Sequence, residues 1–264
     1  MRPMRSRLAS PTCRPRTRSR QNSSIAASSE RGGSFQAPSR SPSSSASAAS
    51  PSMLEIIHLP DPVSYEDGLR LQEARVDALL AGDAGDAVFL LEHEPVYTIG
   101  RLKDRSSLRD AENLPCRVFE TNRGGQATYH GPGQLVGYPV LDLNARGRDL
   151  HAHLRSLEEA LILACQAFGV DAQRREGLTG VWVGDRKLAS IGVGVRKWIS
   201  MHGFAINITR ESLPPFFAIT PCGIDGVVMS CLESEAGRSI SVREAAEVIG
   251  EKLRELLALT PRSH

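Results

Sequence analysis

Apolar and polar residues follow two alternating periods along this chain, and the patterned part begins at Met53. Leu54-Glu55-Ile56-Ile57-His58-Leu59 reads as a first strand. Residues 64–81 carry a helical period, with Leu69, Val76, Leu79 and Leu80 marking a buried side. Ser64 and Asp67 form a box-like cap at its start. Ala87 to Leu91 is a short apolar run without polar interruption, which predicts a buried strand. The segment His93 to Gly100 turns at Pro95, and Arg117 to Thr121 and Gln134 to Leu143 predict two further strands. In the second of these Leu135, Tyr138, Val140, Leu141 and Leu143 supply the apolar content. The clearest helix runs from Asp149 to Phe168, with Leu150, Leu154, Leu157, Leu161, Cys165 and Phe168 on one stripe and Gly169 as its stop. Thr179 to Val183 and Lys187 to Trp198 predict paired strands turning at Gly184-Asp185, and Ser200 to Ile208 predicts another. Pro214-Pro215 interrupts regular structure. Ser241 to Leu257 closes the pattern as an amphipathic helix, capped by Ser241, with Val242, Ala245, Ile249, Leu253 and Leu256 inward.

Residues 1–52 break with this pattern. They are rich in Arg, Ser, Pro and Ala, and Glu30 is their sole acid. Such a segment cannot bury enough apolar surface to offset the entropy of ordering, so it predicts a disordered leader. Two origins fit: an organelle transit peptide, or a reading frame extended upstream of a true start at Met53. The remainder, 53–264, is long enough for one catalytic-sized domain. The net charge of +2 owes much to the nine arginines of the first forty residues, so the patterned part is acidic and argues for no nucleic-acid partner. No apolar run is long enough to span a membrane. The five cysteines (Cys13, Cys116, Cys165, Cys222 and Cys231) form no C-x-x-C pair, which fits a reducing compartment better than a disulfide framework or a zinc site. His151 and His153 would lie on different faces of their helix and read as solvated side chains rather than metal ligands.

Candidate chemistry gathers at two loops and one strand. Arg123 to Gly133 is punctuated by glycine and holds Arg123, Tyr129 and His130. It reads either as a ligand loop on a rigid strand or as a tight turn with a structural histidine. Cys222, between Pro221 and Gly223, is a thiol outside any packed element, and Gly223 could offer its N–H to an oxyanion. Cys231 and Cys165 read as structural. Lys187 opens an apolar strand. Partial desolvation there would favour a neutral amine able to take a thiol proton, but the residues alone favour a solvated hairpin lysine. Ser190-Ile191-Gly192 and Gly203-Phe204-Ala205 leave room on two strands, for a ligand tail or for neighbouring side chains. His93 reads as a strand-end histidine bonded to backbone.

Taken in order, these motifs resemble a known family. Arg-Gly-Gly-x-x-x-x-His-Gly-Pro-Gly-Gln at 123–134, Gly-Val-Trp-Val-Gly-x-x-Lys at 180–187, Ser-Ile-Gly at 190–192, His-Gly-x-Ala-x-Asn at 202–207 and Pro-Cys-Gly at 221–223 look like those of the lipoate-biosynthesis octanoyltransferases. His93-x-Pro95-Val-Tyr-Thr-x-Gly100 fits as well. The resemblance implies an α/β (α+β) fold, a mixed β-sheet flanked by helices like the catalytic domain of biotin and lipoate protein ligases. It implies transfer of an octanoyl group from acyl carrier protein to a lysine of a lipoyl domain. The acceptors would be the E2 subunits of 2-oxoacid dehydrogenases and the glycine cleavage H protein. No cofactor and no metal are expected. By the same resemblance Cys222 matches the acyl-thioester nucleophile and Lys187 its general acid/base. The matching substrate-binding residues are Arg123, Gly124, Gly125, Gln126, Ala127, Thr128, Tyr129 and His130, with Ser190, Ile191 and Gly192, and Gly203, Phe204 and Ala205. The expected compartment is the cytoplasm, or the mitochondrial matrix or a plastid if residues 1–52 are a transit peptide. Two rival readings stand beside this one: an ATP-dependent lipoate or biotin ligase on the same fold, and a non-catalytic binder of acyl carrier protein or lipoyl domains.

Overall fold

The uninterrupted apolar run at Ala87 to Leu91 sets the architecture, because a strand without a polar side must be covered on both faces. A computed structural model shows how; it describes residues 54–109, 112–224 and 226–258, so the predicted leader at 1–52 lies outside the described residues. In chain order the elements are β1 (Glu55–His58), α1 (Tyr65–Ala81), β2 (Ala87–Leu91), β3 (Val96–Ile99), β4 (Val118–Glu120), β5 (Thr128–His130) and β6 (Gln134–Val140). There follow α2 (Leu150–Ala167), β7 (Gln173–Arg175), β8 (Leu178–Val183), β9 (Arg186–Arg196), β10 (Ile199–Asn207), β11 (Val228–Met229), α3 (Leu232–Ala236) and α4 (Val242–Leu257). The main sheet runs β1-β2-β6-β10-β9-β8-β7, with β11 pairing β9. Two of its pairings are parallel, β1 with β2 and β11 with β9. A second sheet orders β4-β3-β5.

Alternation along the strands sorts the core. Val88, Leu90, Leu135, Phe204 and Ile206 pack with Leu157 and Leu161 of α2 and Ile249 and Leu253 of α4. Phe89, Leu91, Val136, Tyr138 and Val140 pack on the opposite face with Val76 of α1. Under the small sheet Tyr97, Ile99, Ala127 and Tyr129 meet Phe216 and Ile219. The predicted mixed, helix-flanked fold is therefore present. Two glycines let its backbones close up. An added Cβ on Gly203 would lie 2.3 Å from the Gly137 carbonyl oxygen, and one on Gly192 would lie 2.6 Å from that of Gly124. Both positions thus serve close backbone approach more than an open slot.

The helix caps read at Ser64 and Ser241 form, accepting from the Asp67 and Glu244 N–H groups, and Asp149 caps α2 by accepting from the Ala152 N–H. Three side chains depart from the periodic reading. Leu80 and Leu256 are exposed, because Tyr65 and Gln72 take the buried side of α1, and Leu257 that of α4. Gln72 can be buried because its amide donates to the Gly68 carbonyl and accepts from the His202 N–H. His153 is the third. It is buried rather than solvated, its Nε2 has no hydrogen-bond partner among the described residues, and burial with the nearby Arg146 charge lowers its pKa to about 4.

Between pH 6.5 and about 4 the unfolded chain takes up a proton at His153 that the folded chain refuses, so stability is lost as pH falls through that window. His153→Leu removes this cost. Urea unfolding at pH 7 and pH 5 is expected to show a smaller acid-induced loss in the variant than in the unmodified protein; equal losses would refute the assignment.

Candidate active site

β9 and the loop at 220–224 meet at one contact. Lys187 Nζ lies 3.3 Å from Cys222 Sγ, and Ser190 Oγ lies 3.7 Å from the same sulfur. Lys187 is 2% exposed, so it is not a solvated hairpin lysine. The Gly184-Asp185 turn pairs Val183 with Arg186 and sets Lys187 one residue into the strand. Its amine faces the Trp182 ring at 5.1 Å. Gly180 makes room for its stem, since a Cβ there would meet Lys187 Cε at 3.0 Å and the Ala189 carbonyl oxygen at 2.5 Å. Ser230 N–H donates to the Lys187 carbonyl and ties β11 to the same point.

Cys222 holds a left-handed backbone, φ +55°, uncommon for a residue with a Cβ. Its N–H donates to the Ala127 carbonyl at 3.0 Å, which moors the thiol to the Arg123–His130 segment. The Gly223 N–H does not face a ligand as expected; it donates to the Thr220 carbonyl at 3.0 Å, within the tight turn. Gly223 is needed for another reason: a side chain there would run into the Gln126 amide, 1.6 Å from an added Cβ.

A cleft partly open to solvent extends from the sulfur. Its wall includes Tyr65, Arg123, His130, Tyr138, Ile191 and Phe204. Arg123 is buried, and its contacts are to neutral oxygens: Thr98 Oγ1 and the carbonyls of Thr98, Gln126 and Gly124, at 2.7–2.9 Å for its terminal nitrogens. The segment is held again where the Gly124 N–H donates to Val193 of β9. Arg123 therefore shapes its own loop and leaves its charge uncompensated beside the cleft.

A directional relay continues from it. Asn207 Nδ2 donates to the Ser230 carbonyl at 3.0 Å, which orients that amide. Gln134 Nε2 then donates to Asn207 Oδ1 at 2.9 Å, and His130 Nδ1–H donates to Gln134 Oε1 at 2.8 Å. His130 Nε2 is left as the acceptor that faces the Thr98 hydroxyl at 3.4 Å. Burial, with the His93 and Arg123 charges, holds His130 well below the usual imidazole value.

Two more rings are fixed likewise. His93 Nδ1 donates to the Val63 carbonyl at 2.8 Å, so its Nε2 accepts from the Tyr138 hydroxyl at 2.6 Å. His202 Nε2 donates to Asn122 Oδ1 at 2.5 Å. Burial lowers both histidines to about 4, with Arg123 adding to the effect at His202. Burial likewise raises Tyr65 to about 12 and Tyr138 well above the phenol value. At neutral pH these rings are uncharged.

The model of the lipoyl protein ligase A/B catalytic domain matches residues 64–254. An octanoyltransferase of Geobacter sulfurreducens is 52% identical over 187 residues, 71% of this chain and 78% of its own length. One from Citrifermentans bemidjiense is 49% identical over 197 residues, covering 75% of this chain and 94% of its own. The chain belongs to the octanoyltransferase family of lipoyl protein ligase A/B domains. Among solved structures, lipoate-protein ligase A bound with ATP aligns with a TM-score of 0.61 at 17% identity, over 77% of this chain and 85% of its own. Protein Ta0514 of T. acidophilum aligns with a TM-score of 0.61 at 16% identity, over 77% of this chain and 84% of its own. These two share the fold.

The motif residues of this octanoyltransferase divide in space. Arg123, Gly124, Gly125, Thr128, His130, Ser190, Ile191, Gly192, Gly203, Phe204, Ala205 and Cys222 line the cleft. Tyr129 does not; it packs against Tyr97 and Phe216 beneath the small sheet. Ala127 is buried in that same cluster, and Gln126 lies against Gly223. Lys187 reaches the sulfur without being part of the cleft wall. Tyr65, Val136, Tyr138 and His202 line it too. For Tyr138 the signal was present in a polar hydroxyl on a fully buried strand; for Tyr65, at the first turn of α1, no local signal exists.

Asn207→Asp tests the relay. At pH 7 a carboxylate oxygen would face the Ser230 carbonyl, at a cost of roughly 1–3 kcal/mol. Protonation restores the donor, so the deficit in urea unfolding relative to the unmodified protein is expected to shrink from pH 7 to pH 5. A deficit independent of pH would refute the donation from Asn207 to the Ser230 carbonyl.

Proposed function

We propose that this octanoyltransferase carries an octanoyl group from octanoyl-acyl carrier protein to a lysine of a lipoyl domain, through a thioester on Cys222. Membership of the family makes the chain an acyltransferase. The observation that carries the site assignment is the buried amine of Lys187 at 3.3 Å from the Cys222 sulfur. Lys187 takes the Cys222 proton and the thiolate attacks the carbonyl carbon. The bond to the carrier sulfur breaks, and the Lys187 ammonium protonates the departing thiolate. In the second half the acceptor amine attacks the thioester, Lys187 accepts a proton from it, and Cys222 leaves as a thiolate that regains that proton. Exchange between thioesters is nearly thermoneutral, so the enzyme's task is placement and charge stabilisation. Ile191, Phe204, Ala205 and Val136 give the acyl tail apolar contact.

The acceptors that suit this reading are the lipoyl domains of 2-oxoacid dehydrogenase E2 subunits and the glycine cleavage H protein. A reactive free thiol needs a reducing compartment, which supports a cytoplasmic setting. Among the described residues no helix is long and apolar enough to cross a membrane. An ATP-dependent ligase would not need the sulfur, and the ligases share the fold at 17% identity or less in the two alignments above.

Intact-protein mass spectrometry after incubation with octanoyl-acyl carrier protein, without ATP, is expected to show one hydroxylamine-labile octanoyl adduct on Cys222. Cys222→Ser forms no thioester, and Lys187→Met forms the adduct about 100-fold more slowly. An adduct on Cys231 or Cys116 instead, or a requirement for ATP, would overturn the reading.

A further inference from the structure

Polar residues make up much of the cleft wall, yet the fold itself satisfies nearly all of them. The Tyr138 hydroxyl is taken by His93, His130 by Gln134, His202 by Asn122, and the Arg123 donors by Thr98 and loop carbonyls. An apolar chain can therefore cover this wall without stranding a donor. Thr128 is the exception. It is 5% exposed and lines the cleft. Among the described residues of the wall, its Oγ1 is the one buried side-chain oxygen or nitrogen with no hydrogen-bond partner. Alternation along β5 puts Thr128 on the side of His130, opposite Tyr129, and the strand register sets it across from Thr98 of β3. A buried hydroxyl left without a partner costs about 1–3 kcal/mol, and its retention at a cleft points to a partner that a ligand brings.

Three backbone donors around the sulfur are already committed. Cys222 N–H goes to Ala127, Gly223 N–H to Thr220 and Gly124 N–H to Val193. An unbranched acyl thioester offers one oxygen acceptor, its carbonyl. We infer that the Thr128 hydroxyl binds the carbonyl oxygen of the acyl thioester and stabilises the negative charge that develops there; this rests on the reading that acyl transfer runs through Cys222. As the Cys222 thiolate bonds to the carbonyl carbon, the π electron pair moves onto oxygen, and that oxyanion accepts the Thr128 hydrogen bond. Collapse restores the carbonyl and expels the carrier thiolate, which takes its proton from Lys187. Thr128 keeps its own proton throughout.

Thr128→Val keeps the shape and removes the hydroxyl, and Thr128→Ser keeps the hydroxyl. Loss of one oxyanion donor lowers kcat by about 100-fold, so Thr128→Val is expected to lose about that much kcat with KM little changed, and Thr128→Ser to recover most of it. A second probe, octyl methanethiosulfonate, modifies the same thiol through a disulfide and has no carbonyl; its rate at Cys222 is expected to be the same in the unmodified protein and in Thr128→Val. Unchanged kcat in Thr128→Val, equal losses in both variants, or parallel loss of reactivity with the carbonyl-free probe would each overturn the inference while leaving the Cys222 assignment intact. Failure of the unmodified protein to form any octanoyl adduct on Cys222 would instead remove the reading beneath it, and this inference with it.

Discussion

A lysine amine set against a cysteine sulfur inside a protein is an expensive arrangement, and much of the surrounding structure serves to hold it. Both groups prefer water when charged, and taking a lone ammonium out of water costs several kcal/mol unless something nearby compensates. Here the compensation is the sulfur at 3.3 Å and the face of Trp182 at 5.1 Å. The two groups sit on different kinds of structure. Lys187 is built into β9, paired on both sides, whereas Cys222 rides a strained turn. The strand fixes the amine, and the turn leaves the sulfur half-buried at the head of the cleft.

What moors the turn is the Arg123 segment. The Ala127 carbonyl holds Cys222, and the Arg123 guanidinium holds the loop around Ala127 by binding the carbonyls of Gly124 and Gln126. From Thr98 the hydrogen bonds run through His130, Gln134 and Asn207 to Ser230, whose N–H returns to the Lys187 carbonyl. The sulfur and the amine are thus joined twice: directly, and around a closed circuit of oriented dipoles. Because Arg123 spends its donors on neutral oxygens, its charge remains available to favour an anion in the cleft. The buried histidines stay neutral in that field, so they can be packed beside it without repulsion.

Much of this was legible in the sequence. The helical and strand periods located most of the long elements, and the capping residues fixed helix starts to within a residue. The short strands β3, β5, β7 and β11 were not read, since two to four residues carry too little periodicity to register. The order of motifs pointed to Lys187 and Cys222, which the structure brings to 3.3 Å of each other. Composition around Lys187 did not, because a hairpin lysine is usually solvated; only the return of β11 and of the 220–224 turn across β9 buries it. Tyr129 misled for the converse reason. It shares a motif with His130, but adjacent residues of a strand face opposite ways, and Tyr129 belongs to the core of the small sheet. His153 was misjudged because its helix buries a wider arc than the leucine stripe alone suggests.

The central claim is that Lys187 makes the Cys222 sulfur reactive. Competitive alkylation measures this most directly: limiting iodoacetamide at pH 7, with Cys116 in the same molecule as the internal reference. The account predicts that Cys222 is modified well ahead of Cys116, and that Lys187→Met slows Cys222 by about tenfold while Cys116 is unaffected. A Cys222 rate indifferent to the loss of the lysine amine would contradict it.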